Sequence, residues 1–327
     1  MSQQPNLHEA ELGLRAIEGL SVRRDVGLSG LTRFGIGGPA DILADTDHPE
    51  AFAAAVRLCR NYRAPYYVLG SGTNVIVSDA GFRGVVLRFT ARAIERAGAR
   101  LESDAGASLE ALVDTAIEAS LKGLETLARI PGSVGAAVYG NAGAYGHSIC
   151  ESVEWVRFFD GETVRQVDNA GCEFEYRGSA FKRNKEWMIF RCGLALDPAD
   201  GKELRKIADE ITAVRDEKFP PSMRCAGSIF KNLHVKDLPP EVVSEVPERA
   251  IREGKVASAF FLDRVGAKGM RRGGIVIADY HANLIYNEGG GTAAELRSLI
   301  SELKAKIVER YGFEVEEEVQ YVGDFSA

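Results

Sequence analysis

The residue types and spacing that could do chemistry concentrate first in a glycine-rich stretch, Gly123 to Gly146, which reads GLETLARIPGSVGAAVYGNAGAYG. Glycine serves where φ must be positive or where the backbone presses directly against a ligand. Successive amide N–H groups in such turns form concave anion sites, and a helix start adds the positive end of its dipole. The same stretch carries Ile130, Val134, Val138 and Tyr139, so it reads as a buried, backbone-dense loop and not as a linker. Two readings stand side by side: a cradle for a diphosphate, or a set of tight turns packing two sheets together.

A second candidate follows the strand Tyr66-Tyr67-Val68-Leu69, where the chain turns through Gly70-Ser71-Gly72-Thr73-Asn74-Val75. A helix spaced over Pro49 to Arg63 precedes that strand, and strand, helix, strand and glycine turn together place a nucleotide at a strand's end. The turn does not follow the Rossmann pattern. The glycine expected five positions after Gly70 is Val75, and Val75-Ile76-Val77 continues as a strand instead of opening a helix. No lysine of the Walker type follows any glycine loop. A third stretch, Phe174 to Lys182, alternates aromatic and basic side chains around a turn, which an ordinary polar hairpin end would also do.

The elements that must position these stretches alternate along the chain. Helical apolar spacing covers His8 to Leu20, and Ser108 is placed to cap a helix carrying Leu109, Leu112, Val113, Ile117 and Leu121. Ser152 to Cys192 reads as β-structure around the hairpin turn Asp160-Gly161. The polar segment Asp197 to Lys202 marks a boundary, a helix runs from Glu203 to Lys218, and the chain changes character at Phe219-Pro220-Pro221. Beyond it, Thr292 caps a helix to Tyr311 with Leu296, Leu299, Ile300, Leu303 and Ile307 on one face.

Composition bounds the function. At 327 residues, with 45% hydrophobic and 27% charged residues, the chain is a globular protein of two or three domains. A net charge of −7 argues against a nucleic-acid-binding face. No apolar run is long enough to span a bilayer, and the opening MSQQPNLHEAELG lacks the basic start and apolar middle of a signal peptide. The five cysteines are scattered with no C-x-x-C pair, which supports neither a disulfide framework nor a zinc site; the five histidines are isolated, so no metal is expected. The expectation is a cytoplasmic protein without membrane insertion.

The order of motifs resembles the UDP-N-acetylenolpyruvoylglucosamine reductases, the MurB-type flavoenzyme family, over about Thr32 to Gly323. The features that carry it are Phe34-Gly35-Ile36-Gly37-Gly38-Pro39-Ala40-Asp41, the Gly70 turn, Ile130-Pro131-Gly132-Ser133-Val134-Gly135 with Asn141 to Gly146, Tyr176-Arg177 with Ser179 and Phe181-Lys182, Gly227-Ser228 with Phe230-Lys231-Asn232, His281-Ala282-Asn283, and Glu318-Val319. The resemblance implies an α+β protein: a FAD-binding region of the vanillyl-alcohol-oxidase (PCMH) type over 1–200, in subdomains of about 1–90 and 91–200, and a C-terminal α+β substrate domain over 201–327. It implies NADPH-dependent, FAD-mediated reduction of the enolpyruvyl group of UDP-N-acetylglucosamine enolpyruvate to UDP-N-acetylmuramate in peptidoglycan synthesis, by a monomer.

The roles it implies fall on particular residues. Arg177 polarises the substrate carboxylate, Ser228 donates a proton to the carbanion, and Glu318 partners Arg177 in stabilising the enol form. Gly70, Ser71, Gly72, Thr73, Asn74 and Val75 line one side of the non-covalently held FAD diphosphate, with Ile130, Pro131, Gly132, Ser133 and Gly135 on the other. Tyr176, Lys231 and Asn232 fall to the UDP-sugar. The run Glu316-Glu317-Glu318 leaves the register of the acid open by a residue or two, and Glu318 is preferred because Val319 follows and Gly323 then falls into place. The chain departs from the family at Gly35, a position often basic there, at Ala136 and Gly140, and at Leu233, where proline is usual. The short span between Tyr176-Arg177 and Ser228 points to the shorter subtype. An alternative is another FAD oxidoreductase of the same fold acting on a small alcohol or sugar; it would keep the glycine loops but not Arg177, Ser228 and Glu318. A non-catalytic nucleotide-binding protein would need none of those three.

Overall fold

A computed structural model describes residues 6–325; Met1–Pro5, the start of the opening read above for a signal peptide, and the last two residues lie outside the described residues. The chain divides into two units. One comprises residues 6–26, 40–71 and 83–217 of the described chain, the other residues 27–39, 72–82 and 218–325. The division falls after Glu217, in the last turn of the helix Gly201–Lys218, whereas the sequence places its boundary near residue 200. Leu204 and Ala208 explain the difference, because they bury the helix's apolar side in the core of the first unit.

The first unit holds two sheets and two cores. A four-stranded sheet runs in the order Ser21–Gly27, Pro39–Thr46, Phe82–Phe89, Tyr66–Val68, and its last two strands are parallel. A five-stranded antiparallel sheet runs in the order Val164–Asp168, Val153–Phe159, Met188–Ala195, Arg100–Asp104, Ile94–Ala97. Successive side chains on a strand point to opposite faces. Phe158 and Phe159 use that alternation: Phe158 joins the core of Leu112, Val134 and Phe181, while Phe159 joins that of Phe52, Leu87 and Phe190.

Capping sets the helix limits. Pro49 opens Pro49–Asn61 at a position where a missing N–H costs nothing, and the Ser108 hydroxyl accepts from the Ala111 N–H at 3.4 Å to start Leu109–Glu118. The first helix is shorter than its spacing suggests. It runs only from Leu7 to Arg15, because Gly19 takes φ +77° and turns the chain into the strand from Ser21. The glycine-rich stretch is also not all loop, since Val134–Tyr139 forms a short helix capped by Ser133.

The second unit is built on an antiparallel sheet in the order Arg224–Ser228, Leu284–Asn287, Ile275–Ile277, Arg271–Arg272. The helix Ala293–Tyr311 buries Leu296, Leu299, Ile300, Leu303 and Ile307 in its core. Thr292 and Glu295 form a capping box at one end, and Gly312 closes the other at φ +72°. Phe34, Ile36 and Ile76 bury their side chains in the same core, which is why two early segments of chain belong to this unit. Gln320–Val322 pairs in parallel with Val75–Val77, bringing the glycine turn before Val75 to the end of the chain.

Candidate active site

In the first unit the two glycine loops meet. Gly70 and Ser71 follow the strand Tyr66–Val68, whose parallel pairing is prolonged by the Leu69 N–H donating to the Leu87 carbonyl at 2.9 Å. A Cβ placed on Gly70 would lie 3.3 Å from Ser133 Oγ and 3.6 Å from Ala136 Cβ. Gly132 takes φ +148° just before, and Gly70, Ser71 and Pro131 are exposed. These residues fit a diphosphate: two stretches of backbone side by side, exposed at Gly70, Ser71 and Pro131, with a gap that a side chain at Gly70 would narrow. Gly135 has a different reason to be glycine. Its N–H donates to the Ala105 carbonyl at 2.9 Å, and a Cβ there would be 2.7 Å from Ala105 Cβ, so it allows the short helix to pack closely. The tight-turn reading therefore holds for Gly135, beside the open face at Gly70 and Gly132.

Tyr176 and Arg177 occupy a turn closed by two backbone bonds of 3.1 Å between Glu175 and Gly178. Arg177 has φ +56°, a left-handed conformation uncommon for any residue but glycine and one that needs support. Support comes from the segment around Asn141. The buried Asn141 amide donates to the Glu175 carbonyl at 2.9 Å, an Arg177 guanidinium N–H donates to the Gly143 carbonyl at 2.9 Å, and the Ser179 hydroxyl donates to the Tyr139 carbonyl at 2.8 Å. Lys182 Nζ caps the Arg177 carbonyl at 2.8 Å, and the guanidinium lies 5.3 Å from the centre of the Tyr176 ring. The cation is thus half-buried and oriented before any ligand arrives.

The second unit positions the other candidates. Ser228 ends the strand Arg224–Ser228 opposite Leu284, with a register shift between Cys225 and Ser228 and Gly227 at φ +77°. A bulge of this kind re-aims a side chain out of the ladder. Lys231 Nζ pairs with the exposed Glu316 carboxylate, and Asn232 is exposed. Glu317 accepts from Lys304 Nζ at 3.1 Å and from the Tyr321 hydroxyl. Glu318 is half-buried. Its N–H donates to the Ile229 carbonyl at 2.7 Å, and its carbonyl accepts from the Asn74 amide at 3.2 Å. Gly72, Thr73, Asn74 and Val75 therefore travel with Ser228 and Glu318, while Gly70 and Ser71 belong to the other unit with Ile130–Gly135, Tyr176 and Arg177. Gly72 is held to glycine by the Leu31 carbonyl, which a Cβ would approach to 2.0 Å.

Two departures from the family pattern acquire local explanations. Gly35 has φ +72° and lies against the Arg224 side chain, 3.0 Å from Cδ to a built Cβ, so a cationic chain passes the position where a basic residue is missing. Leu233 pairs with Val256 in a small sheet.

Asn283 and Ser258 are the polar residues whose part the sequence leaves unassigned. Both are buried, and both bond to the Phe230 carbonyl. The motif His281-Ala282-Asn283 is visible in the sequence, but nothing there says what its asparagine holds. His281 is pushed down to about 4 by burial first and by Lys218 and Lys268 next, and its Nδ1 accepts from the Asn283 N–H at 3.3 Å. Burial pushes the Cys59, Cys172 and Cys192 thiols up to about 12, which leaves them inert. Among the described residues no three or more His, Cys, Asp or Glu side chains gather where they could hold a metal ion, and no helix is long and apolar enough to cross a membrane.

The chain is similar to known proteins over most of its length. Residues 40–166 match the model of an FAD binding domain, and residues 219–322 match the C-terminal domain of UDP-N-acetylenolpyruvoylglucosamine reductase. The reductase of that name from Solibacter usitatus is 57% identical over 310 residues, covering 95% of this chain and 99% of the relative. That from Rubrobacter xylanophilus is 35% identical over 90% of this chain and 92% of its own. The crystal structure of the reductase from Thermus caldophilus matches with a TM-score of 0.73 at 29% identity, over 93% of this chain and 99% of that one.

Proposed function

The chain belongs to the UDP-N-acetylenolpyruvoylglucosamine reductase family, and from that premise we propose that Arg177, Ser228 and Glu318 carry its chemistry. The protein is an FAD-dependent oxidoreductase that reduces the enolpyruvyl group of UDP-N-acetylglucosamine enolpyruvate to UDP-N-acetylmuramate with NADPH, a step of peptidoglycan synthesis. When bound, FAD supplies the hydride it has accepted from NADPH to the vinyl methylene carbon. The loops Gly70–Val75 and Ile130–Gly135 would hold its diphosphate, the exposed backbone at Gly70, Ser71 and Pro131, beside the positive-φ Gly132, being the part best suited to it.

Hydride addition leaves negative charge on the carbon next to the substrate carboxylate. The Arg177 guanidinium forks onto that carboxylate and draws the charge into the enolate form, a role that suits a cation held in place before the substrate binds. The Ser228 hydroxyl gives its proton to the carbon, completing the reduction. Glu318 stabilises the enol form with Arg177. The register of the acid is supported by the geometry of its neighbours: Glu317 is turned to Lys304 and Tyr321, Glu316 is exposed on Lys231, and alternation in an extended segment sends Glu318 to the face opposite Glu317. The observation that carries the assignment is the 2.7 Å bond from the Glu318 N–H to the Ile229 carbonyl, which ties the acid's backbone to the residue after the serine.

Tyr176, Lys231 and Asn232 bind the sugar nucleotide, and Lys231 exchanges Glu316 for phosphate oxygen when it does so. The protein acts as a cytoplasmic monomer. Anaerobic titration tests the reading: the purified yellow protein bleaches with NADPH and regains its colour on adding UDP-N-acetylglucosamine enolpyruvate. Recovery of colour only with oxygen would favour an oxidase of a small alcohol or sugar instead.

A further inference from the structure

Ser228 must deliver its proton to one carbon atom, and its side chain is only as well placed as the backbone that follows it. That backbone runs through Ile229, Phe230 and Lys231 between two supports. On one side lies the Glu316–Glu318 segment, where the Lys231 N–H donates to the Glu316 carbonyl at 2.9 Å and the Glu318 N–H donates to the Ile229 carbonyl at 2.7 Å. On the other side lies a single buried residue, Asn283. Its carbonyl accepts from the Ile229 N–H at 3.2 Å, and its side-chain Oδ1 accepts from the Phe230 N–H at 2.9 Å. Its Nδ2 donates to the Phe230 carbonyl at 2.8 Å and to Ser258 Oγ at 2.8 Å. The Ser258 hydroxyl donates in turn to the Phe230 carbonyl at 3.2 Å.

The primary amide grips both polar groups of one residue, donating to one and accepting from the other. An ionised carboxylate of the same shape only accepts, and an aliphatic group does neither. Asn283 is 3% exposed and Ser258 is fully buried, so water is not at hand to replace a lost bond. The residue before Phe230 is Ile229, whose N–H donates to the Asn283 backbone carbonyl and whose carbonyl accepts from the Glu318 N–H. The proposed proton donor and the proposed acid are thus registered through one strand of chain that Asn283 locks.

We propose that Asn283, braced by Ser258, is a positioning residue for proton delivery, setting the Ser228 hydroxyl relative to Glu318 by clamping the Ile229–Phe230 backbone. This rests on the assignment of Ser228 as the donor. The proton is needed only when the enolpyruvyl group is reduced, and not when NADPH reduces the flavin. A clamp that serves proton delivery therefore affects the second half-reaction alone, whereas a residue that serves only folding has no reason to distinguish the two.

The test is anaerobic stopped-flow spectroscopy of the holoenzyme and of Asn283→Asp, which keeps the shape and the acceptor but loses the donor to the Phe230 carbonyl. Flavin reduction by NADPH stays within about twofold of wild type, and reoxidation by UDP-N-acetylglucosamine enolpyruvate slows about a hundredfold, the cost of a small misplacement of a reacting group. Lowering the pH restores part of that rate in the variant, because a protonated aspartic acid can again donate one hydrogen bond. Amide exchange of the segment around Ile229 and Phe230 rises in parallel. If Asn283→Asp does not fold, Ser258→Ala removes the brace alone and slows reoxidation by several-fold with reduction unchanged. Equal slowing of both half-reactions, or a faster-exchanging segment with wild-type reoxidation, would overturn the proposal. Failure of the wild-type enzyme itself to be reoxidised by that substrate would overturn the functional assignment instead, so the two failures are distinguishable.

Discussion

The turn that carries Arg177 and the strand end that carries Ser228 solve the same problem by opposite means. Arg177 sits in a left-handed backbone conformation at φ +56°, held by a set of bonds from side chains to carbonyls that are spread over Asn141, Ser179, Lys182 and its own guanidinium. Ser228 follows a glycine that takes the positive φ for it, and the backbone beyond is held by one buried amide and the edge of the Glu316–Glu318 segment. The difference matches the tasks proposed for each. Part of a cation's action is Coulombic and varies slowly with distance, so distributed support suffices to keep its plane in place for the forked bond. A proton donor acts at hydrogen-bond range, where an error of an ångström removes the function.

Substitutions can break or sharpen that contrast. The largest effect is expected at Ser228 itself: Ser228→Ala slows reoxidation by the enolpyruvyl substrate by about a thousandfold, within the range of general-acid contributions, and leaves flavin reduction by NADPH intact. Single-turnover absorbance changes separate the two. Arg177→Lys keeps the charge but loses the fork and the bond to the Gly143 carbonyl, and is expected to slow the same half-reaction by about a hundredfold. If lysine served as well as arginine, the guanidinium geometry would be irrelevant. Asn141→Ala removes one of the two donors to the Glu175 carbonyl, which keeps the Gly178 N–H, and takes away the acceptor of the Cys150 N–H, so it lowers stability by about 1–3 kcal/mol, read from denaturant unfolding, and loosens Arg177 only indirectly.

The smallest effect concerns pH. His281 binds a proton more weakly in the folded protein, at about 4, than its ordinary value of 6.5, so the unfolded chain takes up the proton first. Its contribution is complete above pH 6.5 and is lost as pH falls toward 4. His281→Asn is expected to flatten the decline of Tm over that window, and an unchanged slope would place the acid sensitivity elsewhere.

Much of this was legible in the sequence because it is local. Thr292 and Glu295 announce the long C-terminal helix, Ser108 announces another, and the failure of Val75 to be glycine excludes a Rossmann turn. What was not legible depends on segments far apart in the chain. Gly135 and Gly72 read equally well as ligand-binding or as packing glycines until Ala105 and the Leu31 carbonyl appear beside them. The split of one glycine turn between two units follows from where Ile76 and Val68 pack their side chains, which no local pattern encodes. Asn283 bonds to residues more than fifty positions earlier, so its motif could be seen and its task could not.

The measurement that bears most directly on the split of the reaction is the product formed by the wild-type enzyme in deuterium oxide with unlabelled NADPH, read by NMR. A proton delivered by an exchangeable hydroxyl predicts one deuterium at the carbon next to the carboxylate, while the hydrogen of the new methyl group passes through an exchangeable N–H of the reduced flavin and does not bear on the test. No deuterium beside the carboxylate would contradict the account.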